Sequence, residues 1–124
     1  TYMLCYYDAR ITASTYGGFF APLSCEPVST YYAFNAFGKL YDLKNQVACN
    51  VDKDAEGFYA LAAADGDKKA IYLVNLCEQS RKVNVNIDDS FEVYLIDENH
   101  FVEKADVTAS EFEIAANQVV LIKK

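Results

Sequence analysis

The chain has 124 residues, the size of one domain, and 52% of them are hydrophobic, which suffices for a core and excludes an intrinsically disordered protein. Its net charge of -7 repels phosphate and anionic lipid groups, so we expect neither a nucleic-acid partner nor a membrane partner. Its apolar stretches are far shorter than the ~20 residues of a membrane span.

The four cysteines predict free thiols rather than a metal site, and the apolar surroundings of Cys5 and Cys77 predict that these two are buried. Cys5, Cys25, Cys49 and Cys77 are widely spread and form no CxxC pair, so we expect no zinc and no redox dithiol. A disulfide between Cys25 and Cys49 is the alternative for an exported protein. No signal-peptide pattern is visible, which favours the cytoplasm over secretion, and Thr1 in place of Met is what a fragment or processed chain would show.

The first part of the chain reads as a strand, a loop and a helix. Residues 2–7, YMLCYY, are almost continuously apolar, which is typical of a strand covered on both faces. A loop with Gly17-Gly18 and two prolines follows over residues 11–27. Residues 31–43 are then predicted to form a helix.

That helix is predicted to be apolar on more than one side. Ser29 or Thr30 is the expected N-terminal cap, and Asn45 is the expected residue that ends the helix. Aromatic residues recur at three-to-four-residue spacing along one face, and alanines and leucines make much of the rest apolar. We therefore expect the helix to be covered by more than one neighbouring layer.

From residue 45 onward the patterns predict an antiparallel β-sandwich. Asp65-Gly66 is typical of a hairpin turn, and Val83, Val85 and Ile87 alternate with polar residues as in a strand with one buried face. Turns recur at short intervals, as in sandwiches and barrels. The predicted strands lie near residues 47–51, 58–63, 70–76, 82–87, 91–96, 100–106, 111–114 and 118–122.

The two parts of the chain predict two structural units. A doubly buried strand followed by a loop and an apolar helix is the repeating unit of parallel α/β structures. We therefore assign residues 1–44 to the last strand and helix of an α/β barrel, and residues 45–124 to a C-terminal β-sandwich.

Three motifs carry a resemblance to a known group of enzymes. They are YYDAR at residues 6–10, GGFF at residues 17–20 and YYAFNAFGKLY at residues 31–41. Together they resemble the end of bacterial retaining glycosidases of the β-xylosidase and arabinofuranosidase type, whose (β/α)₈ barrel is followed by a jelly-roll-like sandwich. The resemblance implies that residues 2–10 are the eighth barrel strand, residues 31–43 the eighth helix and residues 47–124 the accessory sandwich.

The same resemblance implies that this chain does not contain the catalytic pair. Retaining glycosidases use two carboxylates about 5 Å apart, and both stand on earlier strands of such barrels. We therefore expect the fragment to be inactive by itself, with the catalytic barrel of the parent chain as its partner. The role that follows is structural support of that barrel, without a cofactor.

Tyr7, Asp8 and Arg10 are the candidate substrate-binding residues of the parent enzyme. They fall at the predicted C-terminal end of a barrel strand, where the active sites of such barrels are built. Tyr7 and Tyr16 could supply aromatic surface to a sugar. The alternative is that Asp8 and Arg10 form an ion pair that anchors the loop.

Other residues give weaker signals. His100 is the only histidine and falls in a predicted turn, so we assign it no role. Asp52, Asp54 and Glu56 could approach calcium, but they lack the known loop pattern, and we expect no metal.

Two alternative functions remain at this point. The first is a stand-alone carbohydrate-binding module with Tyr59, Tyr72 and Tyr94 on one exposed sheet face, although tyrosines in strands are often packing residues. The second is an interaction domain. If the helix is separated from its neighbours, its apolar residues should also promote self-association; they are Tyr31, Phe34, Phe37 and Leu40.

Overall fold

A computed structural model of the protein describes residues 17–52 and 55–124. These residues form helix α1 (Ser29–Tyr41) and eight β-strands. The strands in chain order are β1 (Asn45–Val47), β2 (Phe58–Asp65), β3 (Lys68–Asn75), β4 (Arg81–Asn84), β5 (Glu92–Ile96), β6 (Phe101–Ala105), β7 (Glu111–Ile114) and β8 (Gln118–Lys123). The mostly β, antiparallel, sandwich-like architecture confirms the predicted fold class.

Six of the strands form one antiparallel sheet in the order β1-β2-β3-β8-β5-β6. Strand β2 turns into β3 at Gly66, whose φ of 61° lies in the left-handed region that glycine adopts without strain. This is the hairpin that the Asp65-Gly66 pair predicts. Strand β8 lies in the middle of the sheet, which explains its apolar run, because both of its faces are covered.

Strands β4 and β7 form a second, two-stranded sheet that packs on one face of the large sheet. Val83, Val85 and Ile87 all contact this core, as their alternation with polar residues predicts. The two sheets bury an apolar core between them. Its buried members are Leu73, Phe91, Val93, Ala109, Phe112, Ile114, Val120 and Ile122.

Helix α1 packs on the opposite face, which we call the helix-side face. Ala36 and Leu40 are buried there against a second apolar cluster. Small residues at the contact allow the helix backbone to approach the sheet closely. The sheet residues of this cluster are Ala63, Ala70, Ile96 and Leu121. The six-stranded sheet therefore lies between the helix and the two-stranded sheet.

The helix boundaries differ from the predicted ones. The N-cap is Val28, without a side-chain capping bond, so neither Ser29 nor Thr30 caps the helix as predicted. The C-cap is Asp42, and Asn45 begins β1 instead of ending the helix. Strand β1 pairs with β2 from Asn45 onward, so pairing starts earlier than the sequence pattern suggests. An exposed ion pair between Lys44 and Asp65 at 3.1 Å lies beside this end of the pairing.

Cys49 and Cys77 are free thiols, so the alternative of a Cys25–Cys49 disulfide is wrong. Cys5 and the predicted opening strand at residues 2–7 lie outside the described residues. Within the described ranges, no helix is long and apolar enough to cross a membrane.

Candidate functional site

A groove opens where the N-terminal end of α1 faces two turns of the sheet. It has a volume of about 720 Å³, and its walls come from three separate segments. Ser29, Thr30 and Ala33 of α1 form one wall, while the β5–β6 turn at residues 97–99 and the β7–β8 turn at residues 115–117 form the other. Ile96 and Val119 lie at its base.

A row of cross-strand neighbours leads from the base of this groove to an exposed tyrosine. Ile96 pairs with Val119, Val119 with Val74, and Val74 with Tyr59, so these four residues form one row across β5, β8, β3 and β2. Alternation along the strands places all four on the helix-side face. Tyr59 is 58% exposed at the far end of the row. The groove is therefore mostly polar at its walls and apolar at its base, and Tyr59 lies beyond its lining.

Asp97 organises the wall formed by the two turns. Its carboxylate accepts hydrogen bonds from the backbone amides of Asn99 (2.8 Å) and His100 (2.9 Å) and from Nε2 of Gln118 (2.6 Å). The Nδ1 atom of His100 lies 2.8 Å from Oδ1 of Asp97. Gln118 is buried, and its Oε1 accepts from the amide of Ala115 at 3.0 Å, so one carboxylate holds the two turns together.

These contacts also set the ionisation of Asp97. Partial burial disfavours the charged carboxylate, but the hydrogen bonds from Gln118, the Asn99 amide and His100 outweigh that cost. They hold the pKa of Asp97 below its ordinary value. His100 is therefore a half-exposed structural partner of Asp97, and it is not free in the turn as the sequence suggests.

Acidification should weaken this link between the turns. Because the pKa of Asp97 is lower in the folded chain than its unfolded value of about 3.9, the ionised carboxylate contributes stability above that pH. The contribution is lost as the pH falls through the folded pKa. Urea unfolding between pH 6 and pH 2.5 should show that the free energy of unfolding decreases less on acidification for Asp97→Asn than for the wild type. Asp67→Asn, in the exposed β2–β3 turn, serves as the matched control, and identical slopes for all three proteins would contradict this role for Asp97.

The three tyrosines proposed as a sugar platform all lie on the helix-side face, but their side chains differ in solvent exposure. Tyr72 lies under α1, where its hydroxyl donates to the Ala33 carbonyl oxygen at 3.1 Å and burial raises its pKa to about 12. Tyr94 donates to Glu92 at 2.6 Å, and Nζ of Lys123 lies 4.6 Å from its ring centroid. The prediction of three exposed rings is therefore wrong for Tyr72, and Tyr59 offers the most open ring of the three.

A second aromatic surface lies on the outer side of α1. Phe19 contacts both Tyr31 and Phe34, with ring centroids 6.2 Å and 5.0 Å apart, and Phe20 contacts Tyr31 at 5.7 Å. We call these four residues the outer aromatic cluster. All four are only partly buried. The helix is thus apolar on two sides, as its sequence predicts.

A larger trough, of about 730 Å³, opens between the two sheets beside β2. Its lining includes Ala60, Ala62 and Ala64, because β4 and β7 do not cover this part of the large sheet. Its lining also includes polar and charged side chains, among them Arg81, Lys82 and Asn84. We take the groove at the start of α1 as the candidate site because three separate segments converge on it.

The predicted substrate-binding residues cannot be placed in this geometry. Tyr7, Asp8 and Arg10 lie outside the described residues, as does Tyr16, so their role stays a prediction. Asp54 of the suggested calcium group also lies outside them. Across residues 17–52 and 55–124, no group of three His, Cys, Asp or Glu side chains is arranged to hold a metal ion.

Solved structures share this fold, although no protein-family model and no curated protein matches the sequence. A glycoside hydrolase family 30 subfamily 8 xylanase from Clostridium acetobutylicum aligns with a TM-score of 0.69 and 14% identity over 90% of this chain. A family 30 endoxylanase from Clostridium papyrosolvens aligns with a TM-score of 0.62 and 19% identity over 84%. The chain has the fold of one part of these xylanases. A conserved exported protein from Bacteroides fragilis aligns less fully, with a TM-score of 0.54 and 15% identity over 64%.

The extent of these alignments is as informative as their scores. The chain spans 31% of the first xylanase, 29% of the second and 18% of the exported protein. Identities this low show the fold alone. The fold of this chain therefore occurs within glycoside hydrolases, which agrees with the resemblance that the motifs suggest.

Sequence patterns did not reveal the groove. Its walls come from residues 29–33, 97–99 and 115–117, which are separated by long stretches of chain. The signal that could have been used is that the short segments at residues 97–99 and 115–117 separate apolar strands. Only the strand order shows that these turns lie at the same end of the sheet.

Proposed function

We propose that this chain is the non-catalytic C-terminal part of a larger glycoside hydrolase. In this proposal residues 1–44 contribute the last strand and helix of the catalytic barrel, and residues 45–124 form the accessory sandwich that braces it. Hydrolysis is carried out by carboxylates elsewhere in the parent chain. Tyr7, Asp8 and Arg10 contribute to substrate binding at the end of the last barrel strand.

The two-sided apolar character of α1 carries this proposal. Its inner side is already satisfied by the sheet, where Ala36 and Leu40 are buried. Its outer side nevertheless presents Tyr31 and Phe34 of the outer aromatic cluster, and Lys39 is the one charged residue of the helix. A surface of this kind fits a second apolar layer. Burial of each large side chain there would stabilise the contact by about 1.5 to 3 kcal/mol.

The alignments support the same arrangement. Both xylanases are more than three times as long as the segment that this chain matches, so the matched fold is one component of a larger protein in each. A component that packs against the remainder of its chain needs an apolar contact surface. The outer aromatic cluster provides one.

The decisive experiment compares the complete coding region with this segment. We expect it to encode a barrel-length segment, before residue 1, carrying two glutamates suited to retaining hydrolysis. In that full protein, Phe34→Ser should lower the melting temperature of the barrel, while Tyr41→Ser, at an 83% exposed position, should not. A start codon directly before Thr1 would contradict the proposal.

The isolated chain should self-associate through the same surface. Sedimentation velocity over a concentration series should show dimers or larger species, because the isolated chain lacks the barrel that we propose to pack on the outer aromatic cluster. The double substitution of Tyr31 and Phe34 by serine should shift the population toward monomer. Tyr59→Ser, which removes an exposed ring elsewhere, is the control, with far-UV circular dichroism confirming that each variant folds. A wild type that stays monomeric at high concentration would argue against an apolar docking surface.

A further inference from the structure

We infer that a β-strand from the parent polypeptide, lying outside residues 1–124, pairs with the outer edge of β4 and fills the trough between the two sheets. The existence of that polypeptide rests on the proposed function. The position of the added strand rests on the hydrogen-bonding pattern of β4 and on the lining of the trough. With this strand, the second sheet has three strands instead of two.

Strand β4 has an open hydrogen-bonding edge. The amide of Val85 donates to the Ser110 carbonyl oxygen at 2.9 Å, and this pair continues the β4–β7 register. In an antiparallel pair, the backbone groups of every second residue point toward the partner strand. Those of Val83 therefore face β7, whereas those of Lys82 and Asn84 point away from it. Within the part of the chain that the structure describes, β7 is the one strand that pairs with β4, so these outward backbone groups can pair with an added strand.

The trough lies on the same outer side of β4. Its lining includes residues of β4 and of β2 but none of β7. Ala60, Ala62 and Ala64 alternate along β2 on the face that carries the core between the sheets. Stacked sheets pack about 10 Å apart, so a strand beside β4 lies above these alanines. The added strand thereby covers the part of the large sheet that β4 and β7 leave open.

The lining of the trough predicts the character of the added strand. Alanine side chains leave room above β2, and close packing requires large apolar side chains to fill it. The inward residues of the strand are therefore large and apolar, in alternation with polar residues that face water. Three cations, Lys69, Arg81 and Lys82, line the trough, and the one acid among its described lining residues is Asp52. This excess of positive charge favours acidic residues among the polar ones.

The parent polypeptide fits the trough better than a small molecule or a second copy of the chain. A small apolar molecule leaves the backbone groups of β4 unpaired, whereas an added strand pairs them in a row. A second copy that paired through its own β4 would bring its Arg81 and Lys82 next to the same cations, and like charges side by side destabilise a sheet. The chain spans 31% and 29% of the two xylanases, so most of each lies outside the matched segment and can supply a strand.

Amide hydrogen exchange tests the inference when it is measured residue by residue in the isolated chain and in the full protein. In the isolated chain, we expect the amides of Lys82 and Asn84 to exchange fast and the amide of Val83, which faces β7, to exchange slowly. In the full protein, exchange of the Lys82 and Asn84 amides should slow about tenfold or more, because they then donate to the added strand. Unchanged fast exchange of both amides in the full protein would overturn the inference.

Two further outcomes of the exchange measurement would also overturn it. Slow exchange of Lys82 and Asn84 in the isolated chain at low concentration would assign the edge of β4 to residues 1–16. Protection that increases with the concentration of the isolated chain would assign the edge to a second copy.

Asn84→Pro removes one of the outward amides and leaves the pairing of β4 with β7 in place. In the full protein, it should lower the melting temperature by about 4 °C or more, because the proline ring blocks the added strand. Glu113→Pro is the matched control, since Glu113 lies opposite Lys82 and its amide points away from β4 on the β7 side. Far-UV circular dichroism of both isolated variants checks that they fold.

Equal melting temperatures of the two proline variants in the full protein would contradict the inference, and the exchange measurement on the wild type decides it if either variant misfolds. A failure here differs from a failure of the proposed function. A coding region that starts at Thr1 would refute the proposed function itself, whereas an unpaired β4 edge in a full barrel protein would refute the added strand alone.

Discussion

Asn75→Ala is expected to lower the free energy of unfolding by about 3 kcal/mol. Asn75 is fully buried where the two sheets meet. Its Nδ2 donates to the carbonyl oxygens of Gln79 (2.9 Å) and Ala115 (2.8 Å), and its Oδ1 accepts from the Cys77 amide (3.2 Å). Alanine would leave these three backbone groups without their partner. Urea unfolding at pH 7 measures the change.

The matched control for this substitution is Asn84→Ala. Asn84 is exposed on β4, so its replacement should change the free energy of unfolding by less than about 0.5 kcal/mol. Equal effects of the two substitutions would show that the Asn75 bonds do not secure the loop between β3 and β4. A large effect of Asn75→Ala should also loosen the β7–β8 turn and hence one wall of the groove, since Ala115 is one of its acceptors.

Ile122→Ala is expected to destabilise the chain by about 3 to 4 kcal/mol. Ile122 lies on the central strand β8, has no solvent exposure and belongs to the core between the two sheets. Its cross-strand partners are Ile71 and Val93, so truncation opens a cavity that neighbours on β3 and β5 would have to close. Thermal and urea unfolding of the purified variant measure the loss.

Leu61→Ala tests whether that loss is due to burial. Leu61 belongs to the same six-stranded sheet but is 40% exposed, so its truncation should cost less than half as much. If Ile122→Ala cost no more than Leu61→Ala, the two-stranded sheet would not be packed on the large sheet as described.

Local patterns predicted the elements of this fold well. Alternation of Val83 and Val85 with polar residues identified the strand β4 and its buried face, and Asp65-Gly66 identified a hairpin. These features depend on a few neighbouring residues, through the two-residue period of a strand and the positive φ of a tight turn. The same patterns placed the helix at residues 31–43, but they placed the next strand at residues 47–51, whereas β1 spans Asn45–Val47.

The candidate site depended on information that no local pattern contains. Strand periodicity is the same for Tyr59, Tyr72 and Tyr94. In the structure, however, α1 covers Tyr72, and Tyr94 is already in contact with Glu92 and Lys123. Whether a ring is open to a ligand depends on what packs over it. The sequence cannot show this because the covering groups lie far away along the chain.

By itself, the sequence determined that this protein is a mostly β chain with an apolar helix, since side-chain periodicity and turn geometry are short-range effects. Only the tertiary structure decided that β8 lies between β3 and β5, that α1 packs on the large sheet, and that two distant turns form a groove with the start of the helix. The physical reason is that strand order and layer packing follow from burial of the whole apolar surface at once, and many chain-distant pairings share the same local pattern.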